Sequence, residues 1–66
     1  MKLTINGQVK TFDSCLTLQE LLISLGLEKT PVVVELNKEA ILPRTYSTSS
    51  VTDGDTLEII TIAAGG

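Results

Sequence analysis

A stripe of four leucines most constrains how this chain can fold. Its members follow the i, i+3, i+4, i+7 spacing of one helix face: Leu18, Leu21, Leu22 and Leu25. Thr17 and Glu20 have the spacing of a capping box at the start of a helix, and Gly26 stands where a left-handed residue ends one. We therefore predict one short amphipathic helix over residues 18–25. Because β-prone stretches surround it, its leucines must pack on a sheet.

The stretch before the helix predicts a β-hairpin. Leu3, Ile5 and Val9 alternate with polar residues, as in half-buried strands. Asn6-Gly7 lies between the two runs, and this dipeptide favours the tight turn that needs positive φ at both central residues. We predict antiparallel strands over residues 1–6 and 8–12, followed by a connector over residues 13–16.

The stretch after the helix predicts three further strands. Residues 32–37 begin with β-branched residues and resemble an interior strand covered on both faces. A polar turn at Lys38-Glu39 precedes a short strand, residues 40–42, which Pro43 ends.

A polar stretch then leads to the closing strand. Residues 44–50 are rich in hydroxyl groups and predict an irregular surface segment with Tyr46 as its anchor, before Val51 returns to the core. Gly54 supplies the unusual dihedral of a turn, and residues 57–62 form the last strand.

This order of elements predicts an α+β fold. One helix lies across one face of a mixed sheet of four to five strands, with the first and last strands as parallel neighbours in the centre. By analogy with known folds, this is a β-grasp, or ubiquitin-like, arrangement. We assign residues 1–62 to this domain and residues 63–66 to a flexible C-terminal tail.

The tail carries the distinctive chemistry. After Ile62 come Ala63, Ala64, Gly65 and Gly66, so no side chain is larger than a methyl group. Extended, these residues span roughly 13 Å and fit a channel too narrow for branched side chains. Their reactive group is the carboxylate of Gly66, which a partner can activate and attack with little crowding. The alternative interpretation is an ordinary frayed terminus.

Composition disfavours several functions. A net charge of −3, two aromatic residues and no basic cluster argue against binding nucleic acid, and no apolar run is long enough to span a membrane. The chain has no histidine, and a lone Cys15 cannot build a metal site or an iron–sulfur cluster. We expect no catalysis by the chain alone and no bound cofactor, and a reducing, cytoplasmic environment.

Three side chains that resemble catalytic groups have simpler explanations. Asp53 and Asp55 flank a turn glycine, which is the commoner use of such a pair. Cys15 has no neighbouring base in sequence that would activate it as a nucleophile.

The whole chain resembles the ThiS family of sulfur carriers of thiamin (thiazole) biosynthesis. The segments that carry the resemblance are Asn6-Gly7, Val34-Glu35-Leu36-Asn37, Leu42-Pro43-Arg44, Asp53-Gly54-Asp55 and Gly65-Gly66. Ala63-Ala64 departs from the family, which often has a valine and another glycine there.

The resemblance implies a cycle run by partner enzymes. An E1-like adenylyltransferase uses ATP and magnesium to make an acyl adenylate at Gly66. Sulfur from a cysteine-desulfurase persulfide then displaces AMP and leaves a thiocarboxylate, which thiazole synthase receives. Two alternatives stay open, namely a carrier of the molybdopterin synthase small-subunit type and a ubiquitin-like protein modifier.

The alternation of the last strand predicts where partners dock. Leu57 and Ile59 share one face, and because Glu58 favours water they are the inward pair. Ile60 and Ile62 then point outward at the base of the tail, and we expect them to form an apolar docking patch.

Overall fold

A computed structural model describes residues 1–62 of the 66-residue chain. Its elements follow the sequence in this order: β1 (Lys2–Ile5), β2 (Gln8–Thr11), β3 (Leu16–Thr17), α1 (Leu18–Ser24), β4 (Val32–Leu36), β5 (Glu39–Ile41), a 3-10 turn (Pro43–Thr45), β6 (Ser50–Val51) and β7 (Thr56–Thr61). The predicted order of strands and helix is confirmed, and two short strands, β3 and β6, are added to it.

The main sheet is mixed and has five strands in the order β2-β1-β7-β4-β5. Its first and last strands, β1 and β7, run parallel at its centre, with Thr4 opposite Thr56 and Ile5 opposite Leu57. All other pairs in this sheet are antiparallel. The predicted β-grasp arrangement is therefore confirmed. Its topology makes β7 the middle strand.

The core lies between α1 and one face of this sheet. Its most deeply buried side chains come from the helix, from three strands of the main sheet and from β6: Leu3, Leu18, Leu21, Val34, Val51 and Leu57. The leucine stripe thus packs as its spacing predicts. Among residues 1–62, every residue that is buried as a whole is aliphatic, so packing of aliphatic side chains holds the helix on the sheet.

Both ends of α1 are closed by the residues that the sequence indicates. The Thr17 backbone N–H donates to Glu20 Oε1 at 2.9 Å, and the Glu20 N–H donates to Thr17 Oγ1 at 3.1 Å, which completes the capping box. At the other end Gly26 has a φ of 76°. The Leu27 N–H reaches back to the Leu22 carbonyl at 2.8 Å, as in a Schellman motif.

Two segments that were not predicted to form strands, the connector and the irregular segment, are partly ordered. The end of the 13–16 connector and the end of the 44–50 segment pair as β3 and β6, with Leu16 opposite Val51. The turn between β4 and β5 is formed by Asn37 and Lys38, both at positive φ, and Glu39 already belongs to β5. The predicted turn at Lys38-Glu39 was wrong by one residue.

The prediction that residues 32–37 are covered on both faces was also wrong. Val34 is fully buried, but its neighbour Val33 is 43% exposed. A single helix covers a single face of the sheet, so a strand can be central and still expose every second side chain. The face opposite α1 is open, and we call it the outer face.

Candidate functional site

Strand β7 alternates as predicted between the core and the outer face. Leu57 and Ile59 are buried, whereas Ile60 is 57% exposed. On the neighbouring strand Val33 lies directly opposite Ile60, and directly opposed residues share a face of the sheet. The two side chains form an exposed aliphatic pair on the outer face, near the end of the last strand.

Ile62 is exposed as well, but it has a second set of neighbours. It follows the last residue of β7, and its N–H still donates to the Pro31 carbonyl at 2.9 Å. It also lines a shallow, largely apolar groove with residues of the helix side: Leu22, Leu27, Pro43 and Tyr46. Ile62 therefore lies at the border between the outer face and this groove.

Tyr46, one of the residues that line this groove, has a buried hydroxyl group without a partner in the described part of the chain. The Tyr46 hydroxyl is buried and forms no hydrogen bond with residues 1–62. Burial raises the pKa of Tyr46 above its ordinary value. Tyr46 thus packs against the core as the anchor that its segment predicts, but with an unsatisfied hydroxyl group.

The side chain of Asn6 holds β7 where β1 stops. The Ile59 N–H donates to Asn6 Oδ1 at 2.8 Å, and Asn6 Nδ2 donates to the Ile59 carbonyl at 3.0 Å. The carboxamide thus replaces a strand residue that β1, ending at Ile5, does not supply. The same residue starts the hairpin turn with a φ of 52°.

A second asparagine holds the start of β7 from the other side. The Thr56 N–H donates to Asn37 Oδ1 at 3.0 Å, and Asn37 Nδ2 donates to Asp55 Oδ1 at 3.1 Å. Asp55 also accepts the Thr52 N–H at 2.8 Å. Burial alone would raise the pKa of Asp55, but these hydrogen bonds outweigh it and lower that pKa below its ordinary value.

The two aspartates serve the turn before β7. Asp53 accepts the backbone N–H of Lys2 at 2.6 Å, and Asp55 makes the bonds just described. Gly54 between them has a φ of 88°. This agrees with the structural interpretation of the pair. Together with Asn6 and Asn37, the turn holds β7 at its start and at Ile59.

Other candidate chemistry is sparse in the described part of the chain. Cys15 is an exposed free thiol just before β3. Residues 1–62 contain no cluster of three side chains arranged to hold a metal ion. Within the same residues, no helix has the length and apolar character to cross a membrane.

The predicted tail residues, Ala63, Ala64, Gly65 and Gly66, lie outside the described residues. Their roles stay predictions. What the structure provides is the position from which they start, directly after Ile62.

Sequence reasoning missed the part played by the two asparagine side chains. The sequence patterns identify Asn6 only as a turn residue and Asn37 only as the end of a strand. The available signal was the Asx type itself, because an asparagine beside a turn has a carboxamide free to bond a neighbouring strand.

The sequence and the fold of this chain are similar to those of known proteins. The model of the ThiS family matches residues 3–66. The chain belongs to the ThiS family. The Bacillus subtilis protein named sulfur carrier protein ThiS is 40% identical to it over 65 residues, which are 97% of this chain and 98% of that protein.

A second kind of relative is much longer. A thiazole synthase of Paramagnetospirillum magneticum is 41% identical over 66 residues, which are all of this chain but 20% of that protein. The chain thus spans about a fifth of the length of this relative. The ThiS-like sequence forms one part of a longer polypeptide there.

The crystal structure of the thiamine biosynthesis protein ThiS from Geobacter metallireducens has the same fold. It superimposes with a TM-score of 0.86 at 36% identity, covering 100% of both chains. The β-grasp arrangement seen here is therefore that of a family member solved by experiment.

Proposed function

We propose that this chain is the sulfur carrier of thiamin biosynthesis, and that its C-terminal residue Gly66 is adenylated and then converted to a thiocarboxylate. The observation that carries the proposal is the match along almost the whole length of both chains to a protein named sulfur carrier protein ThiS. The di-glycine Gly65-Gly66, which falls within the family match, supplies the chemistry.

The proposed cycle begins with activation of the carboxylate. A Gly66 carboxylate oxygen attacks the α-phosphorus of ATP, pyrophosphate leaves, and an acyl adenylate forms. An E1-like adenylyltransferase catalyses this step and holds the ATP and magnesium. The acyl carbon then carries a good leaving group, AMP, and is open to a sulfur nucleophile.

Sulfur enters in the second half of the cycle. The terminal sulfur of a persulfide, made by a cysteine desulfurase, attacks the acyl carbon and AMP leaves. A thiol of the donor protein cleaves the resulting S–S bond and is itself oxidised to a disulfide, which releases the thiocarboxylate. Thiazole synthase then receives the sulfur from Gly66.

In this cycle the chain acts as a carrier and partner enzymes act on it. It contributes a reachable carboxylate on a narrow tail, Ala63 to Gly66, and a rigid strand, β7, from which the tail starts. The partners contribute the electrostatic stabilisation that adenylation needs. We propose that the chain binds no cofactor and works in the cytoplasm beside these enzymes.

The proposed link to thiazole synthase has support from the longer relative. A sequence 41% identical to all of this chain is part of the thiazole synthase polypeptide of Paramagnetospirillum magneticum. Joining two modules in one chain keeps them at a high effective concentration, which is useful when they work together. The proposed roles of the adenylyltransferase and the cysteine desulfurase are supported only by the family resemblance.

We further propose that partners dock on the outer face around Ile60 and Ile62. Both side chains are about half exposed, at 57% and 49%, and both lie close to the base of the tail. Docking there holds the domain while the tail enters a partner, and so lowers the ordering cost of binding.

Complementation tests the proposed pathway. Expressed in bacteria that lack their own ThiS, the chain should restore growth without added thiazole, and the variant without Gly66 should not. A strain that lacks the small subunit of molybdopterin synthase serves as the comparison. Growth rescue only in the second strain would contradict the proposal and favour the molybdopterin alternative.

A further inference from the structure

The outer face carries an unusual pair of like charges. Glu35 on β4 and Glu58 on β7 lie directly opposite each other, and both are exposed. Directly opposed side chains are about 4.5–5.5 Å apart at Cβ. Because like charges in this arrangement repel each other, the pair works against the folded sheet rather than for it.

Residues of the same face do not relieve this repulsion. On the next strand the position opposite Glu35 is Ala40. The Asn6 carboxamide, which follows β1 beside Glu58, is already bonded to Ile59. Among residues 1–62 no lysine, arginine or other donor forms an ion pair or a hydrogen bond with either carboxylate. Both remain available to a partner.

The acidic pair adjoins the exposed aliphatic pair. Val33 and Ile60 are the next outward-facing residues along β4 and β7, again directly opposite each other. Two carboxylates and two aliphatic side chains therefore form one contiguous surface close to the base of the tail. We call it the acidic–aliphatic patch: Val33, Glu35, Glu58 and Ile60.

We propose that the acidic–aliphatic patch binds an arginine side chain of thiazole synthase. The guanidinium group of this arginine bridges Glu35 and Glu58, and neighbouring residues of thiazole synthase cover Val33 and Ile60. The inference rests on the proposed function and adds to it the chemistry of the contact. A planar guanidinium has five N–H donors, enough for two carboxylates at once. A lysine ammonium is a more compact charge and matches the pair less well.

The arrangement also explains why a destabilising pair is useful at this place. The repulsion exists in the free domain and is relieved when a cation lies between the two carboxylates. The free energy that the repulsion costs the folded domain therefore adds to the affinity for the partner. The charges also attract a basic surface before contact. Glu58 lies on β7, the strand that leads to Ile62, and Glu35 lies on the neighbouring strand β4. Contact with the pair therefore holds both strands against the partner.

Calorimetry with thiazole synthase from the same genome tests this inference. The variants are Glu35→Gln and Glu58→Gln, each of which keeps the size of the side chain and removes one charge. We expect each to weaken binding about tenfold or more. We also expect the dependence of Kd on salt to fall, while Tm stays the same or rises because the repulsion is gone.

Glu39→Gln is the matched control. Glu39 lies opposite Leu36, whose side chain faces the helix side, so its position is on the other face of the sheet. The substitution changes the net charge by the same amount. It should leave Kd nearly unchanged.

Several results would overturn the inference. Binding by both patch variants as tight as that of the wild type would do so, as would equal weakening by Glu39→Gln, which indicates only a general charge effect. A lower Tm in both patch variants would show that the pair stabilises the fold. If the wild-type chain itself fails to bind thiazole synthase, the proposed partner falls, and the inference with it.

Discussion

A single residue, Asn6, has two structural duties that sequence patterns treat separately. Its backbone adopts the left-handed conformation that the hairpin turn requires, with a φ of 52°. Its side chain forms both hydrogen bonds to Ile59 that a longer β1 would have made. The turn and the central strand are therefore coupled through one carboxamide.

We expect Asn6→Gly to separate these duties. Glycine keeps the turn because it accepts positive φ, but both side-chain bonds are lost, at about 1–3 kcal/mol of unfolding free energy in total. Urea denaturation measures the change. The control is Lys38→Gly, an exposed turn residue at a φ of 72°, which should change stability little. A loss at Asn6 no larger than at Lys38 would contradict the role given to the carboxamide.

Asp55 makes stability depend on pH. Its pKa in the folded chain is lowered, since the hydrogen bonds from Thr52 and Asn37 outweigh the effect of burial. A depressed pKa stabilises the fold above the unfolded-state value of about 3.9, and this contribution is lost as pH falls through the folded value.

Replacing this carboxylate should therefore flatten the acid side of the stability curve. For Asp55→Asn, Tm should fall less steeply than in the wild type as pH is lowered from 5 towards about 2, when measured by calorimetry. If the Tm of the wild type and that of Asp55→Asn fall equally steeply with pH, the Asp55 carboxylate is not the group that makes stability depend on pH. Asp53→Asn, in the same turn, is the comparison.

At the scale of elements, β7 joins the core to the proposed docking surface. Its inward side chains, Leu57 and Ile59, are buried, and its outward Ile60 is free on the outer face. Alternation along one strand thus separates residues that hold the fold from residues available to a partner. The sequence indicated this division correctly, because Glu58 marks the face that meets water.

Ile60→Asp tests that division. Because Ile60 is exposed, the variant should change unfolding free energy by only about 0.5 kcal/mol, yet weaken binding of thiazole synthase strongly. The control is Val9→Asp on β2, which is 66% exposed on the same face but at its edge. A loss of several kcal/mol in Ile60→Asp would assign Ile60 to the core. Unchanged binding would remove it from the docking surface.

Long periodic elements could be predicted from the sequence, and very short ones could not. The leucine stripe and the alternation around Asn6-Gly7 repeat often enough to define α1, β1 and β2. Strands β3 and β6 have two residues each, which is too few for any period to show. They form because Leu16 and Val51 meet across the chain, a long-range contact that local patterns do not contain.

The turn between β4 and β5 was misplaced for a related reason. Its two residues at positive φ are Asn37 and Lys38, and neither is glycine. The usual sequence signal of this turn is a glycine at the second position. Here Lys38 accepts the left-handed conformation instead, so polarity alone suggested a position one residue too late.

At the scale of the whole molecule, one helix on a five-stranded sheet leaves one face without a cover. The prediction that residues 32–37 were covered on both faces failed because a β-branched run indicates a strand but does not show whether one face or both faces of the sheet are covered. Residues 32, 33 and 34 are all valine, yet only Val34 is fully buried. The exposed valine belongs to the surface that we propose for docking.

The candidate site was predictable only in part. Ile60 followed from alternation, and Gly66 from the side-chain-free end of the sequence, although the latter lies outside the described residues. The acidic pair could not be predicted, because Glu35 and Glu58 are 23 positions apart in the chain and become neighbours only through the β4–β7 register. Sites built across strands require the pairing to be known.

Intact-mass spectrometry tests the central claim most directly. The chain is incubated with the E1-like adenylyltransferase, ATP, magnesium and a persulfide donor, and its mass is compared before and after. We predict a gain equal to the replacement of one oxygen by sulfur, located at Gly66 by fragmentation.

Two variants control this measurement. Deletion of Gly66 should abolish the gain while leaving the fold intact, and Cys15→Ser should preserve it, because the exposed thiol has no role in the proposed cycle. The account would be contradicted if the wild-type mass stayed unchanged while the same adenylyltransferase modified another carrier protein on which it is known to act. A sulfur adduct at Cys15 in place of Gly66 would also contradict it.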